Sequence, residues 1–266
     1  MDSTPLITSL SNPLVKQARG LRQRKIRAET GLFLVEGIHH VGEAHEANWE
    51  IEAVLYAPDL LTSDFAHSLI AHLRQHDRRV TAVSNQVMES LADKDNPQGI
   101  VAIVRQRAST LDGLRDMNIR RAAALVSPQD PGNVGSILRT LDAVGADALF
   151  VLDGGVDIYH PSAVRASMGM LFWKPVVQAS FDEFVGWARR SGFTLIGASA
   201  HAAADYRAAH PSEPWILVLG SEQKGLSPGQ SAACDMMISL PMRGRASSLN
   251  LSVAAGVLLY SMTGQK

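Results

Sequence analysis

Apolar and polar residues follow one another in short blocks along the first third of the chain, which predicts a small α/β domain. Apolar positions at helical spacing predict helices at 14–28, 39–47, 63–76 and 86–91. Short apolar runs bounded by Gly, Pro or charged residues predict strands at 31–37, 51–57, 79–83 and 99–105. The last of these strands is apolar almost throughout, as expected of a buried β element.

From residue 121 onward the pattern becomes regular. It predicts strands at 122–127, 148–152, 193–198, 215–219 and 236–240, with a shorter strand near 175–178. It predicts helices near 134–144, 160–167, 181–191, 228–233 and 248–262. Strands separated by helices imply a parallel sheet covered on both faces. The polar stretch 108–121 is interpreted as a linker with a first helix, so two domains are predicted, at 1–107 and 108–266.

The net charge of the chain gives no sign of nucleic-acid binding, but one short stretch is strongly basic. The 266 residues carry a formal net charge of −1, which excludes a globally basic nucleic-acid binder. One short stretch is uniformly basic and contains Lys16, Arg19, Arg22, Arg24, Lys25 and Arg27. A solvated helix face would explain most charge runs, but such a face usually mixes both signs. The uniform sign therefore favours contacts with phosphate groups.

Cysteine and histidine suggest no metal site. Cys234 is the only cysteine, so neither a disulfide framework nor a thiolate zinc cluster is expected. His72 and His76 share one face of a predicted helix, but no third ligand type lies nearby, and we interpret them as surface residues. The chain shows neither a secretory signal nor an apolar run of membrane-spanning length, so a cytoplasmic protein with no membrane partner is expected.

Three segments in the second half carry the candidate chemistry. Gly220 and Gly225 follow an apolar strand, where open α/β sheets bind ligands, although turn glycines are the plainer explanation. Asn133 is expected at a helix N-cap with Arg139 nearly two turns along, which a capping residue and a surface arginine would also explain. In the third segment, Ser248 or a polar neighbour is expected to cap an apolar helix.

Taken together, these segments resemble the three motifs of the SpoU/TrmH branch of the SPOUT methyltransferases. The motifs are Asn133 with Arg139, then Gly220-Ser-Glu222-Gln-Lys-Gly225, then Ser248-Leu-Asn250, in family order across roughly residues 120–262. The resemblance implies an α/β domain with a parallel sheet and a deep trefoil knot, preceded by a small RNA-binding domain. It also implies a homodimer that transfers methyl groups from S-adenosylmethionine to ribose 2′-hydroxyls of RNA.

The resemblance assigns roles residue by residue. The catalytic residues would be Asn133, Arg139, Glu222, Ser248 and Asn250, and the cofactor-binding residues would be Gly220, Leu240 and Leu249, with no metal. A guanidinium is a very poor base near neutrality, so Arg139 is better suited to bind a phosphate and to stabilise developing alkoxide charge. A pairing of Glu222 with Arg139 is a further hypothesis.

Two further features sit near these motifs. The segment from Tyr159 to Gly169 matches family sequence, and its Arg165 and Ser167 are candidates for contact with RNA or a partner subunit; a plain amphipathic helix explains it equally well. Arg243 and Arg245, in the loop before the third motif, are candidate phosphate contacts.

The predicted function is S-adenosylmethionine-dependent 2′-O-ribose methylation of RNA. A separate N-terminal domain favours ribosomal over transfer RNA as the substrate. The alternatives are a non-catalytic RNA-binding module of the same fold and, as other SPOUT branches do, methylation of a base. Intact motif residues argue against the first, and Ser248-Leu-Asn250 argues against the second. The sequence does not identify the target nucleotide, because specificity lies in surface shape and stacking.

Overall fold

A computed structural model describes residues 6–76, 78–92 and 98–263. The chain divides into two compact units. The first is Met1–Arg107 together with Tyr159–Trp173, and the second is Ala108–Ile158 together with Lys174–Lys266. The segment Tyr159–Trp173 lies within the stretch that the sequence assigned to the second domain.

The secondary structure of the described residues is as follows. The helices are α1 (Pro13–Gly20), α2 (Arg24–Thr30), α3 (Ile38–Glu46), α4 (Asp64–Gln75), α5 (Asn85–Leu91), α6 (Pro131–Ala143), α7 (Pro161–Ala166), α8 (Phe181–Arg190), α9 (Pro228–Ala232) and α10 (Leu251–Thr263). The strands are β1 (Leu32–Glu36), β2 (Ile51–Tyr56), β3 (Arg79–Ala82), β4 (Ile100–Arg105), β5 (Arg121–Val126), β6 (Ala148–Leu152), β7 (Val176–Ala179), β8 (Thr194–Ala198), β9 (Ala204–Asp205), β10 (Trp215–Leu219) and β11 (Met236–Ser239). Short 3₁₀ turns lie at Pro58–Leu60, Asp112–Leu114, Met170–Phe172 and Tyr206–Ala208.

Most predicted elements are confirmed, and the exceptions have local causes. The single helix predicted at 14–28 is wrong: the backbone of Gln23 is extended, which separates α1 from α2. The helix predicted within 108–121 is also wrong, because only a 3₁₀ turn forms there. The C-terminal helix begins at Leu251, three residues later than predicted.

The first unit is built on a mixed four-stranded sheet in the order β1-β4-β2-β3. The pairs β1/β4 and β4/β2 are antiparallel, whereas β2/β3 is parallel. Strand β4 lies inside the sheet, and its first five residues are buried, as its continuous apolar sequence predicts. One core of this unit joins α1, α5 and the sheet through residues such as Leu14, Leu21, Val87 and Ile103.

An aromatic cluster explains why Tyr159–Trp173 belongs to the first unit. The ring of Phe33 on β1 contacts Trp49, Tyr159 and Phe172, with ring centroids 6.0, 4.6 and 6.3 Å away. The indole N–H of Trp49 donates a hydrogen bond of 2.9 Å to the carbonyl of Phe172. The hydroxyl of Tyr159 donates to the carbonyl of Arg107 at 2.8 Å. These contacts bury large rings around one segment.

In the basic stretch from Lys16 to Arg27, some side chains stabilise the fold and others are exposed to solvent. Arg27 is 1% exposed, and its guanidinium donates to the carbonyls of Leu21 at 2.7 Å and Arg22 at 2.8 Å. Its inclusion among candidate phosphate contacts is therefore wrong, because its charge is used to hold the turn between α1 and α2. Lys16 and Lys25 are exposed, the latter within 3.8 Å of Glu29. Arg22 donates to the carbonyl of Ala92.

The second unit contains a seven-stranded sheet in the order β7-β6-β5-β10-β8-β11-β9. All of its strand pairs are parallel. The central strands β5, β6 and β10 are almost entirely buried, and side chains such as Phe150 and Phe184 fill the core beside them. The predicted α/β architecture with a parallel sheet is confirmed. In a parallel sheet, the loops that follow the strands all leave from one edge.

Candidate functional site

The three candidate segments follow strands of the same parallel sheet. The segment of Asn133 follows β5, that of Glu222 follows β10, and that of Asn250 follows β11. Strands β5 and β10 are neighbours, and only β8 separates β10 from β11. The strand order therefore brings residues from distant parts of the sequence to one edge, where doubly wound sheets bind their ligands.

The sequence had suggested that Asn133 caps α6, and this prediction is wrong. Asp130 is the N-cap: its Oδ1 accepts the backbone N–H of Gly132 at 2.8 Å, and Pro131 takes the first helical position. Asn133 lies in the first turn and is only 5% exposed. With its backbone already inside the helix, its side-chain amide is available for contacts outside the helix.

The Glu222 carboxylate is the acceptor at the centre of the site. It receives the backbone N–H groups of Gln129 at 3.1 Å and Asp130 at 3.4 Å, and Nδ2 of Asn133 at 3.1 Å. The hypothesis that Glu222 pairs with Arg139 is wrong, because the carboxylate bonds to the start of α6. The contact joins the loop after β10 to the loop after β5.

Asn250 extends this network to the third segment. Its Nδ2 donates to Oδ1 of Asn133 at 2.9 Å. Its own Oδ1 accepts the backbone N–H of Ser252 at 2.9 Å and that of Val253 at 3.3 Å, so Asn250, and not Ser248, caps α10. A directed chain of hydrogen bonds, from Asn250 to Asn133 to Glu222, therefore connects all three segments.

The loop after β10 is tightly folded against itself. A Cβ atom on Gly220 would lie 2.0 Å from the carbonyl carbon of Gly225 and 2.3 Å from the nitrogen of Leu226. Gly225 has a φ of +64°, and its N–H donates to the carbonyl of Ser221 at 2.9 Å. Only glycine allows this approach of backbone to backbone.

Beside this loop is a pocket of about 430 Å³. All three residues predicted to hold the cofactor, Gly220, Leu240 and Leu249, line it. The apolar side chains of Met242 and Leu258 also line it. Its size, and a lining that combines apolar with polar residues, suit a small molecule that has both apolar and polar parts.

An open cleft of about 480 Å³ adjoins the pocket. Its lining includes four of the five predicted catalytic residues, namely Asn133, Glu222, Ser248 and Asn250. Glu222, Ser248 and Leu249 line both cavities. A molecule in the pocket and a second molecule in the cleft would therefore meet at a shared wall.

Arg139 is the predicted catalytic residue that these cavities do not include. It is exposed on α6 and makes no hydrogen bond or ion pair with any residue that the structure describes. At about 100° per residue, six positions place it roughly 120° around the helix from Asn133. Its side chain is free to meet an anionic group that approaches that face of α6.

Several residues of the site were not predicted. Gln129 and Asp130 supply backbone donors to Glu222, and their position directly before the Pro-Gly-Asn sequence was the available signal. Lys224, inside the second motif, and His201 line the pocket. Gly155 supports the first motif from another loop: a Cβ there would lie 2.4 Å from the carbonyl oxygen of Pro128. No feature of the sequence indicated that contact.

Other polar residues singled out in the sequence have structural roles or lie outside the site. Ser167 is fully buried and donates to the carbonyl of Val164 at 2.7 Å, so its assignment to RNA or partner contact is wrong. Arg243 and Arg245 are exposed in the loop before Asn250. Burial, with a smaller effect of Asp235, raises the pKa of the Cys234 thiol to about 11.

Across residues 6–76, 78–92 and 98–263, no group of three or more His, Cys, Asp or Glu side chains is arranged to hold a metal ion. Over the same residues, no helix is both long enough and apolar enough to cross a bilayer.

Family comparisons agree with this geometry. Residues 120–260 match the model of the SpoU rRNA Methylase family, and residues 12–102 match the MRM3-like substrate binding domain. The chain therefore belongs to the SpoU rRNA methylase family.

Relatives align along nearly the whole chain. A 23S rRNA (uridine(2479)-2′-O)-methyltransferase of Streptomyces viridochromogenes is 34% identical over 92% of this chain and 87% of its own length. The 23S rRNA (guanosine(2553)-2′-O)-methyltransferase RlmP of Bacillus subtilis is 28% identical over 97% of this chain and 99% of its own. The crystal structure of an AdoMet-bound rRNA methyltransferase from Sinorhizobium meliloti superimposes with a TM-score of 0.88, at 33% identity and 97% coverage of both chains.

The packing of the second-motif loop can be tested with a pair of glycine substitutions. Gly220→Ala places a methyl group against backbone atoms and should destabilise the protein by about 1–3 kcal/mol. It should also weaken ligand binding in the pocket. Gly229→Ala is the control, since nothing lies within 4 Å of its added Cβ. Its free energy of unfolding should be unchanged or raised by up to about 1 kcal/mol. Equal thermal unfolding of the two variants would contradict the tight loop.

Proposed function

We propose that this protein transfers a methyl group from S-adenosylmethionine (AdoMet) to a ribose 2′-hydroxyl of RNA, with ribosomal RNA as the preferred substrate. Support comes from the two relatives, which are named as 23S rRNA 2′-O-methyltransferases, and from the AdoMet-bound neighbour. The single observation that carries the proposal is the hydrogen-bonded chain from Asn250 through Asn133 to Glu222 at the wall between pocket and cleft.

The pocket fits AdoMet in size and chemistry. Leu240, Leu249 and Leu258 offer apolar surface to an adenine ring, and backbone groups near Gly220 can bond its polar edge. Lys224 is exposed and is the only Lys or Arg among the described lining residues, so it can pair with the carboxylate of the ligand's amino-acid part. We extend to this chain the deep trefoil knot that the family resemblance implies.

The residues of the cleft would position the ribose. AdoMet, when bound, supplies an electrophilic methyl group on a sulfonium. Glu222 and Asn133 hold the first and second motif loops together, and Asn250 fixes the start of α10. The hydroxyl of Ser248, which lines both cavities, would bond the ribose.

Arg139 stabilises negative charge and does not transfer a proton. A guanidinium remains protonated at all physiological pH values, so it cannot accept the 2′-hydroxyl proton. Its planar donors suit the adjacent phosphate and the negative charge that develops on the attacking oxygen.

We assign residues 1–107 to RNA binding and 108–266 to methyl transfer. The match of 12–102 to a substrate binding domain supports the first assignment. The exposed basic side chains between Lys16 and Lys25 are candidate phosphate contacts of that domain. The cytoplasm, where ribosomal RNA is modified, is the proposed location.

A second copy of the chain completes the proposed enzyme. The side chains of Val253, Val257 and Tyr260 are 51, 37 and 57% exposed on one side of α10, while Leu251, Ala255, Leu258 and Leu259 are buried on the other. A helix that is apolar all round is usually covered on all sides. A two-fold pairing would cover this stripe with the same stripe of the partner.

The non-catalytic alternative differs in one measurable property. An RNA-binding module that has lost its chemistry would not need an intact cofactor pocket. The pocket and the hydrogen bonds around it favour the enzyme.

Lys224 provides the test of cofactor binding. Lys224→Ala should weaken binding of S-adenosylhomocysteine by about 5- to 20-fold, since one charge-assisted hydrogen bond is lost. Binding of methylthioadenosine, which lacks the amino-acid part, should not change, and Lys224→Arg should retain most of the affinity. Calorimetry measures all three. An equal loss with both ligands would mean that Lys224 only shapes the loop, and no binding by the wild type would favour the non-catalytic module.

Methyl transfer is tested with Arg139. The wild type should place a 2′-O-methyl group on ribosomal RNA, and mapping of these groups in a deletion strain against its parent should show the missing site. Arg139→Lys keeps the charge but loses the planar fork, so kcat should fall by about 10²–10³-fold with cofactor affinity unchanged. Arg189→Lys, at an exposed position of α8, is the control. Wild-type kcat in Arg139→Lys would make Arg139 an ordinary surface residue.

The dimer is tested on the exposed stripe of α10. Light scattering at micromolar concentration should give twice the chain mass for the wild type. Val257→Asp should dissociate it, because a carboxylate would be buried without a partner, whereas Met117→Asp, at an apolar residue elsewhere that is 46% exposed, should not. A fully active wild-type monomer would refute the proposal.

Mixing variants shows which subunit uses Arg139. If Arg139 acts on the cleft of the partner, Arg139→Lys and Gly220→Ala chains mixed together should regain activity that neither has alone. If it acts within its own subunit, the mixture should remain inactive.

A further inference from the structure

A groove between α3 and α4 in the first unit collects imidazole rings that the proposed methyl transfer does not use. Its volume is about 400 Å³. His45 lines it from α3, His72 and His76 line it from α4 and its C-terminus, and Arg78 follows. The sequence had suggested that His72 and His76 lie alone on a surface helix, but His45 from the neighbouring helix joins them.

The rings in this groove are close together. The imidazoles of His45 and His76 pack edge to face with centroids 5.2 Å apart. Nδ1 of His76 lies 2.9 Å from the carbonyl oxygen of His72, which fixes the orientation of that ring. Three imidazoles and a guanidinium thus face one space.

Basic and titratable side chains outnumber carboxylates among the described residues of the groove. Glu46 is the one carboxylate among the described lining residues. Nε of Arg78 is buried and has no hydrogen-bond partner in the part of the chain that the structure describes. Burial lowers the pKa of His45, and His76, Arg78 and His72 lower it further by repulsion, while Glu46 raises it slightly. The neighbours of His45 therefore oppose its protonation, and an anion in the groove would relieve the repulsion.

The groove also offers an aromatic surface. Phe65 on α4 is 56% exposed and lines the same space. Single-stranded RNA binds proteins by phosphate contacts combined with stacking of bases on such rings. A metal ion is disfavoured, because the described histidines and Glu46 are not arranged to hold one.

We propose that this histidine groove binds a phosphate of the RNA backbone, with an adjacent base stacked on Phe65. The proposal rests on the proposed function, because it assumes that RNA is the substrate. Binding of a phosphodiester stabilises the imidazolium forms, so each histidine that bonds the phosphate takes up a proton. RNA affinity should therefore rise as the pH falls through the imidazole range.

The experiment measures binding of a short fluorescein-labelled RNA to the full-length protein between about pH 6 and pH 8. For the wild type, the association constant should rise by about 3- to 30-fold between pH 8 and pH 6, because the bound phosphate favours proton uptake by the imidazoles. The triple variant His45→Gln/His72→Gln/His76→Gln should lose most of this slope. It should bind about 3- to 30-fold more weakly at pH 6 and within about 2-fold of the wild type at pH 8.

Matched variants separate the groove from other histidines. His67→Gln, exposed on α4 but outside the groove, should behave as the wild type does. Phe65→Leu should weaken RNA binding about equally at both pH values, because stacking does not depend on the imidazole charge. If the triple variant fails to fold, His72→Gln alone, at an exposed position, should still reduce the slope relative to His67→Gln.

The outcomes separate this proposal from that of methyl transfer. A wild type that methylates RNA while the groove variants keep the wild-type pH slope would overturn the groove proposal and leave the enzyme intact. Loss of the slope in the groove variants of a protein that transfers no methyl group would support the groove and refute the enzyme. Calorimetric binding of inorganic phosphate or Zn²⁺ to the groove, with RNA binding unaffected by the substitutions, would also overturn it.

Discussion

The candidate site depends on the fixed donor and acceptor roles of the side chains that hydrogen-bond within it. A carboxylate can only accept, so Glu222 requires donors from every neighbour, and the amide of Asn133 must present its NH₂ group to it. The oxygen of Asn133 is then the atom left to face Asn250, which must donate. The orientations of both amides follow from one negative charge. The parallel sheet brings the three loops to one edge, and these hydrogen bonds hold the loops together there.

Regular alternation was enough to predict the parallel sheet, because strand and helix periods differ and the apolar blocks are well separated after residue 121. The partners of Glu222 could not be predicted, since its bond to Asn133 spans 89 positions and depends on strand order. The capping of α6 was misjudged for a different reason: Asp130 and Asn133 are both capping residue types. The proline after Asp130 favoured the correct choice. The family resemblance supplied the candidate site residues, and the structure shows the hydrogen bonds that connect Asn133, Glu222 and Asn250.

The role of each basic side chain depends on where the fold places it, which the sequence alone does not show. In the basic stretch, Arg27 holds a turn by bonds to two carbonyls, whereas Lys16 is exposed to solvent. In the histidine groove, residues that seemed isolated along the sequence share one space across two helices. A formal net charge of −1 describes neither arrangement. The local fields that an RNA would meet are set by which side chains the fold leaves exposed.

The discontinuous first unit has a consequence for how the chain acquires its structure during synthesis. The rings of Phe33 and Trp49 are covered in part by Tyr159 and Phe172. A nascent chain that has emerged only as far as Arg107 lacks Tyr159 and Phe172, so this aromatic surface stays uncovered for more than sixty further residues, roughly several seconds of translation. During that interval the rings of Phe33 and Trp49 lack part of their cover. The first unit is therefore complete only after part of the second unit has been translated.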